Sequence, residues 1–494
     1  MTLDLGFSAF FASVPTHWRS SSVTQLQFTL VDCPGHASLI RTIMGGAAII
    51  RTMMLVVDAQ KGIQTQTAEC LVIGEITAER MLVVVNKLDL LPEPADQALE
   101  KLRKKLAATF KQTKFADAPI VAVAAANADA EAAFIAKYPA VPNVGVRRLI
   151  EILQEFSVQP DASVVHRPED FLFAFDHGFV IKGQGTVVTG TVLRGSVVPG
   201  QNVEFVDSRQ QRPVKSIQQF HRPSERAVAG DRAGLCVTKL DAGKLERGIV
   251  SAPGAVPSIV RFVAAVERIR FFKAEIESRA KFHISMGHST AMGTLLFFAD
   301  AGTGTVDAGG AFDAAKHYLY HDALTADSKK LYALVTLETP IDAPRNSVFI
   351  GARLDTPVGA NVCRLAFTGA VLHLLAPDAP PPVVYKPKRR EGDIDRVVDE
   401  HNVIAKNLFN KGADMTQFVG LRVTLSTTGA VGEIVGAFGQ QKGGKFKVYF
   451  RGGMGAPASA AASESGASAE AKLVLEFKKL VGPDDDKKSK QILQ

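Results

Sequence analysis

Residues 26–157 alternate four short apolar runs with helical patterns, and that alternation restricts this part of the chain to an α/β sheet. The runs 26–31, 53–58, 81–86 and 120–124 are rich in Val, Leu, Ile and Met, and 38–50, 65–77, 97–113 and 146–156 carry apolar residues at helical spacing. A β-α-β-α order predicts parallel strands with helices on both faces. Ligands of such sheets bind outside the carboxyl ends of the strands. Two polar clusters stand at such ends: Asp32-Cys33-Pro34-Gly35-His36 and Asn86-Lys87-Leu88-Asp89.

From about Asp170 the texture changes to short alternating segments (171–181, 186–194, 202–206, 214–221, 234–239) separated by Gly-containing turns. This predicts an antiparallel barrel. A second strand-rich run spans about 258–375, interrupted by a Gly/Ala-rich irregular insertion at 299–329. The Ala379-Pro380-Pro381-Pro382 run reads as a hinge into a last unit. There, segments 420–426, 432–438, 445–450 and 472–480 suggest a small barrel, and the Ala/Ser-rich 455–471 reads as a disordered loop. Lys and Arg outnumber Asp and Glu in this unit, which carries most of the chain's net charge of +7.

Composition narrows the function classes. Hydrophobic content of 46% with 22% charged residues is that of a soluble globular protein. The modest positive charge permits a polyanionic partner such as RNA without demanding one. Cys33, Cys70, Cys236 and Cys363 form no C-x-x-C pair, which argues against a zinc ribbon or disulfide framework and fits a reducing compartment. No apolar run reaches the ~18 residues of a membrane span. The apolar opening stretch 3–14 contains Asp4 and follows no basic residue, so it is not a secretory signal. The expectation is a cytoplasmic protein with no membrane partner.

The two polar clusters suit a guanine nucleotide. A carboxylate with glycine three residues on places Asp32 to bind water on Mg²⁺, and Gly35 to bring a backbone amide to a γ-phosphate. Asp89 can accept from both N1 and the exocyclic amine of guanine, a donor pair that adenine lacks. Asn86 can bond O6 or N7 and tie neighbouring loops, while the Lys87 stem lies along the ring. Ala124-Ala125, after the next strand, is where a third, backbone contact would fall. His36 is the candidate for positioning a water nucleophile, the main task in phosphoryl transfer to water. Taken alone, D-x-x-G is common, and Asn86-Lys87-Leu88-Asp89 could be a plain solvated turn. The loop G-x-x-x-x-G-K-[S/T] that cradles phosphates is absent from the 494 residues. Gly439-Gln440-Gln441-Lys442-Gly443-Gly444-Lys445 comes nearest, but Phe446 replaces the Mg²⁺-binding hydroxyl. A strand rather than a helix is expected to follow, so a basic hairpin turn is the better reading.

These residues resemble the selenocysteine-specific elongation factors, the SelB-type relatives of EF-Tu, in their eukaryotic form. The segments that carry the resemblance are Thr2-Leu3-Asp4-Leu5-Gly6-Phe7, the run from Leu30 to Ile43 around Asp32-Cys33-Pro34-Gly35-His36, Lys61-Gly62-Ile63-Gln64-Thr65-Gln66, and Ile181 to Gly190. Leu3-Asp4-Leu5-Gly6 and Ala37-Ser38-Leu39-Ile40-Arg41 are distinctive of this branch. The resemblance runs nearly end to end. It implies a multidomain fold: an α/β P-loop-type GTPase domain over 1–160, then antiparallel β-barrels over 168–256 and 257–378, and a basic strand-rich domain over 383–494.

It further implies GTP/GDP and Mg²⁺, with Thr2 a metal ligand, Asp32 holding its water, Gly35 at the γ-phosphate, and His36 orienting the attacking water. Asn86, Lys87, Asp89, Ala124 and Ala125 would read guanine. Asp176, His177 and Arg232 would form a selenocysteine pocket. A selenol is largely ionised near neutral pH, so a cationic pocket favours it over serine. An Asp-His dipeptide on a strand and a Gly-Asp-Arg turn also have ordinary readings. The implied partners are selenocysteyl-tRNA, the ribosome and the selenocysteine-insertion mRNA element or its binding protein, with the factor a monomer. Lys386-Pro387-Lys388-Arg389-Arg390 could meet RNA phosphates or be simply solvated.

Arg51 and Ala48 depart from the family pattern at positions that do not touch nucleotide. The family's first strand, phosphate loop and helix would precede Thr2. Their absence points to an incomplete gene model and predicts weak or no GTP binding by the chain as written, which micromolar mantGTP binding would overturn. Two other readings stay open: a general aminoacyl- or initiator-tRNA carrier GTPase, and a GTPase-dead RNA- or tRNA-binding scaffold.

Overall fold

A computed structural model describes residues 5–15, 25–33, 49–157, 168–220, 222–240, 245, 247–306, 312–355, 363–409, 415–439, 444–455, 471–482 and 492–493. In the first unit, β1 (Gly6–Ser13) and β2 (Gln25–Asp32) pair antiparallel. β3 (Thr52–Asp58), β4 (Arg80–Asn86) and β5 (Ile120–Val123) form a parallel sheet in that order. The helices are α1 (Thr65–Thr77), α2 (Ala95–Phe110), α3 (Ala128–Lys137) and α4 (Val146–Phe156).

The Val-rich central strand is buried on both faces, as a parallel sheet requires. Val83 and Val85 join a cluster with Leu71, Leu99, Leu106 and Phe134, while Leu82 and Val84 join Ile152 and Leu153 of α4. The β1–β2 pair packs on this second face through Phe10 and Phe28, stacked at 5.0 Å. Helix α1 lies so close to β3 that a Cβ on Gly74 would stand 2.2 Å from Met53 Sδ, so a larger residue there would require the Met53 side chain to move.

Three closed six-stranded antiparallel barrels follow. The first runs Gln210–Gln219, Arg232–Val237, Gly185–Arg194, Leu172–Ile181, Gly248–Ser251, Asn202–Phe205 and back to Gln210–Gln219. The second runs Lys281–Met286, Val348–Ala352, Leu365–Leu375, Ser258–Arg268, Leu331–Asp342, Ser289–Asp300 and back to its start. The last closes Val383–Val397 through Asn402–Lys406, Phe446–Tyr449, Val431–Ala437, Arg422–Leu425 and Lys472–Leu480. Closure removes sheet edges, and the interiors are filled chiefly by Phe, Val and Leu.

The units are joined by specific contacts. Arg209 bridges the first two barrels, bonding Glu204 at 3.0 Å, the Val256 carbonyl at 2.8 Å and the Asp342 carboxylate. Helix α1 meets the second barrel in an apolar cluster of Val72, Ile73, Ile269, Ile350, Ala352 and Leu365. At its edge Arg364 grips Glu69 with its amide (3.3 Å), Nε (3.2 Å) and Nη2 (3.0 Å).

Several expectations need correction. The first apolar run does not join the parallel sheet among the described residues; it pairs antiparallel with β1, a strand the apolar opening stretch concealed. Helix α3 was not anticipated. The insertion at 299–329 contains a strand, His317–His321, which pairs with Ser289–Asp300 on one side and runs parallel to Val383–Val397 on the other. The proline run therefore leads into a paired strand, not a free hinge. That junction is fastened by Lys386 on Asp322 at 2.7 Å and by Arg279 Nη2 on the Gly482 carbonyl at 3.0 Å. The helix expected at 38–50, the loop at 455–471 and residues 440–443 of the glycine-rich hairpin lie largely or wholly outside the described residues.

Candidate functional site

The carboxyl edge of the parallel sheet brings together most of the residues expected to read guanine. Register places Asp58 beside Asn86, and Asn86 beside Val123. Lys87 takes the left-handed backbone (φ 67°) that turns the chain into a 3-10 turn, Leu88–Leu90, pinned by the buried Leu88. Asn86 Oδ1 accepts from the Lys87 amide at 2.8 Å and the Ala125 amide at 3.2 Å, so this side chain does tie neighbouring loops together. Asp89 is exposed, and among the described residues its carboxylate has no hydrogen-bond partner. An unclaimed carboxylate beside a fixed lysine stem fits the two-donor edge of guanine.

Asp58 was not singled out in the sequence. Its Oδ2 receives Lys87 Nζ at 2.7 Å, and Oδ1 receives the amides of Gln60 and Lys61 at 2.9 and 3.1 Å. The Lys87 ammonium, with those amides, holds the Asp58 carboxyl at about 2, below the ordinary 3.8. The ionised pair is complete above the ordinary carboxylate range and is lost as pH falls through about 2. A carboxyl-carbon NMR titration should place the Asp58 midpoint near 2, and Lys87→Met should move it up toward 3.8. An unchanged midpoint in that variant would exclude Lys87 as the cause.

In the loop after β5 the backbone donors are largely committed. The Ala124 amide donates to Glu131 Oε2 at 3.0 Å, and the same carboxylate takes the first amide of α4, Val146, at 3.0 Å. With Ala125 bound to Asn86, the Ala126 amide is the exposed donor of this turn without a partner among the described residues. No sequence pattern could have separated these adjacent alanines.

Asp32 ends β2 opposite Gly6 of β1. Thr2, Gly35 and His36 lie outside the described residues. One register step along, Phe7 faces Val31 within the sheet. Its ring centroid lies 3.3 Å from the Arg232 guanidinium carbon. Arg232 makes a bidentate fork on Asp176 (Nη1–Oδ2 2.6 Å, Nη2–Oδ1 2.8 Å), and Asp176 Oδ1 also meets His177 Nδ1 at 2.8 Å. The three residues expected to form a pocket are thus in direct contact. Asp176 and Arg232 are nearly buried, and His177 is half exposed at the mouth.

Family models match along the chain: the elongation factor Tu GTP-binding domain at 5–158, and elongation factor Tu domain 2 at 185–251. The third domain of eukaryotic selenocysteine-specific elongation factors matches at 263–369 and the eEFSec C-terminal RIFT domain at 380–492. The selenocysteine-specific elongation factor of Mus musculus is 43% identical over 493 residues, covering 92% of this chain and 82% of that protein. The chain belongs to the selenocysteine-specific elongation factor family. The Methanocaldococcus jannaschii member is 31% identical over 301 residues, covering 60% of this chain and 57% of that protein.

Two crystal structures of SelB from Methanococcus maripaludis share the fold. The complex with the GTP analogue GppNHp has a TM-score of 0.71 at 23% identity, covering 97% of this chain and 94% of that one. The apo form has a TM-score of 0.64 at 22% identity, with coverages of 92% and 90%. The expected architecture, an α/β GTPase domain followed by β-barrels, is the family's. Among the described residues no helix is long and apolar enough to cross a membrane.

Proposed function

We propose that this protein delivers selenocysteyl-tRNA to the ribosome in a GTP-dependent step, hydrolysing GTP once the codon is accepted. The observation that carries the reading is the Asp176–Arg232–His177 cluster. It is a nearly buried guanidinium with a half-exposed imidazole, set against the strand that pairs with the one ending in Asp32. Such a site offers a cation to a selenolate, and serine's hydroxyl gains little from it.

In the nucleotide site, Asp89 accepts the two guanine hydrogens, Asn86 fixes the loops, Lys87 lies along the base and Asp58 anchors its ammonium. The backbone contact comes from the 124–126 turn, where Ala124 and Ala125 shape the loop through Glu131 and Asn86 and the Ala126 amide is the donor left for the base. Thr2 and, through water, Asp32 would hold Mg²⁺, which when bound neutralises charge on the β- and γ-phosphates. Gly35 would meet the γ-phosphate and His36 would orient the attacking water. The last barrel meets the selenocysteine-insertion mRNA element or the protein that binds it. The factor acts as a monomer in the cytoplasm.

Filter binding of selenocysteyl-tRNA against seryl-tRNA, on the protein with a family-type phosphate loop joined ahead of Thr2 and with a non-hydrolysable GTP analogue present, tests this. A preference of at least tenfold is expected, about 1.4 kcal/mol. Equal retention of the two tRNAs would overturn the assignment.

A further inference from the structure

We propose that the first barrel carries a site for a small primary aliphatic amine, its ammonium head held by Asp207 and its carbon chain by the cleft beside it. The cleft has a volume of about 280 Å³ and shares no residue with the Asp176–Arg232–His177 cluster. Its floor is the edge-on pair Phe175 and Phe205, with ring centroids 6.2 Å apart, and Leu240 and Ile249 wall it. At about 30 Å³ per water-sized group there is room for roughly nine such groups, enough for a chain of about six carbons with its nitrogen.

Asp207 is the charged residue among those described around the cleft. It belongs to the 3-10 turn Val206–Ser208, which the buried Val206 fixes on the barrel. Its Oδ2 lies over Gly248: a Cβ there would stand 2.3 Å from that oxygen and 2.7 Å from the Phe175 ring. Glycine at the start of the strand Gly248–Ser251 thus lets the carboxylate and the ring share one place. Among the described residues the carboxylate has no hydrogen-bond or ion-pair partner. Arg209, two residues on, is committed to Glu204, the Val256 carbonyl and Asp342.

These surroundings select a cation. Burial and the Asp342 charge push the Asp207 carboxyl above its ordinary value, and Arg209 offsets them only in part. A carboxylate already partly dehydrated against a ring gains most from an opposite charge brought into contact with it. An ammonium brings that charge with three donors, and the apolar walls take the carbons that follow. An alcohol of the same length forgoes the ion pair, and a carboxylate meets like charge.

Methyl NMR of the full chain, labelled at Leu and Ile, tests the site with n-hexylammonium as probe and n-hexanol and hexanoate as comparisons. Saturable shifts of the Leu240 and Ile249 methyls are expected with hexylammonium, at least tenfold tighter than with hexanol, and none with hexanoate. Asp207→Asn keeps the side chain's shape and should bring hexylammonium to the level of hexanol. Gly248→Ala sets a methyl where Oδ2 and the Phe175 ring meet, and should weaken both probes at least tenfold. An unmoved Leu235 methyl in the barrel core then marks the fold as kept. Absence of saturable shifts at Leu240 and Ile249, or equal affinity for hexylammonium and either comparison, would overturn the assignment. So would an ammonium affinity unchanged in Asp207→Asn, or full binding in Gly248→Ala. The assay needs neither nucleotide nor tRNA, so its outcome is separate from that of the selenocysteyl-tRNA comparison.

Discussion

Arg364→Ala should weaken the contact between α1 and the second barrel by about 3–5 kcal/mol, the usual cost of stranding one member of a buried ion pair. Glu69 and Arg364 are 7% and 5% exposed, among Val72, Ile73, Ile350 and Leu365. In the native protein the carboxylate takes three N–H groups of Arg364. Alanine removes two of them and leaves a charge facing hydrocarbon. Arg364→Lys keeps the charge but loses the planar fork, so it should fall between the two.

The paired replacement Glu69→Met with Arg364→Met removes both charges and should be near neutral or stabilising. Native-state hydrogen exchange of the α1 amides reads these changes as opening free energies, without assuming that four domains unfold in one step. A loss under about 1 kcal/mol in Arg364→Ala would mean that the apolar cluster alone holds the interface.

How much of this was legible beforehand depended on whether a signal was local. Helices 65–77 and 146–156 carry their own spacing and appear over those residues. The central Val-rich runs were readable because both faces of the parallel sheet are buried. β1 was missed because its faces serve different partners: Phe10 packs on the sheet core, while Phe7 and Phe11 face barrel arginines. No polar alternation marks such a strand. Val383–Val397 was obscured by the proline run before it and by a basic stretch. Within that stretch Lys386 is held by Asp322 and by the Tyr320 ring at 4.2 Å, and Arg390 lies 5.4–5.7 Å from three Phe rings.

The site divides the same way. Asn86, Lys87 and Asp89 were visible as a contiguous motif. Asp58 acts through one ion pair from another strand, and the Ala126 amide is a backbone feature shared by any residue. Glu69 and Arg364 lie 295 positions apart, so no spacing rule connects them.

Asp89→Asn should move the base preference away from guanine by two or more orders of magnitude. An ionised carboxylate accepts only, and guanine's N1 and exocyclic amine both donate, so the two match. Asparagine keeps one acceptor and turns the other into a donor, which opposes the exocyclic amine and leaves a polar group unpaired. Sites built around such a pair discriminate by 10⁴–10⁵ when a bond is lost, and an exposed rim position such as Asp89 should deliver part of that. Xanthine carries a carbonyl where guanine has its amine, so the variant should gain xanthine nucleotides as it loses guanine ones. Competition of GDP and XDP against a fluorescent analogue reads the ratio of affinities, which is independent of how tightly phosphates are held. Lys87→Met, by contrast, keeps the apolar stem but frees it from Asp58, so it should weaken both bases alike, since a stem lying along the ring face would read no edge. A GDP-to-XDP ratio unchanged in Asp89→Asn would remove Asp89 from the base site.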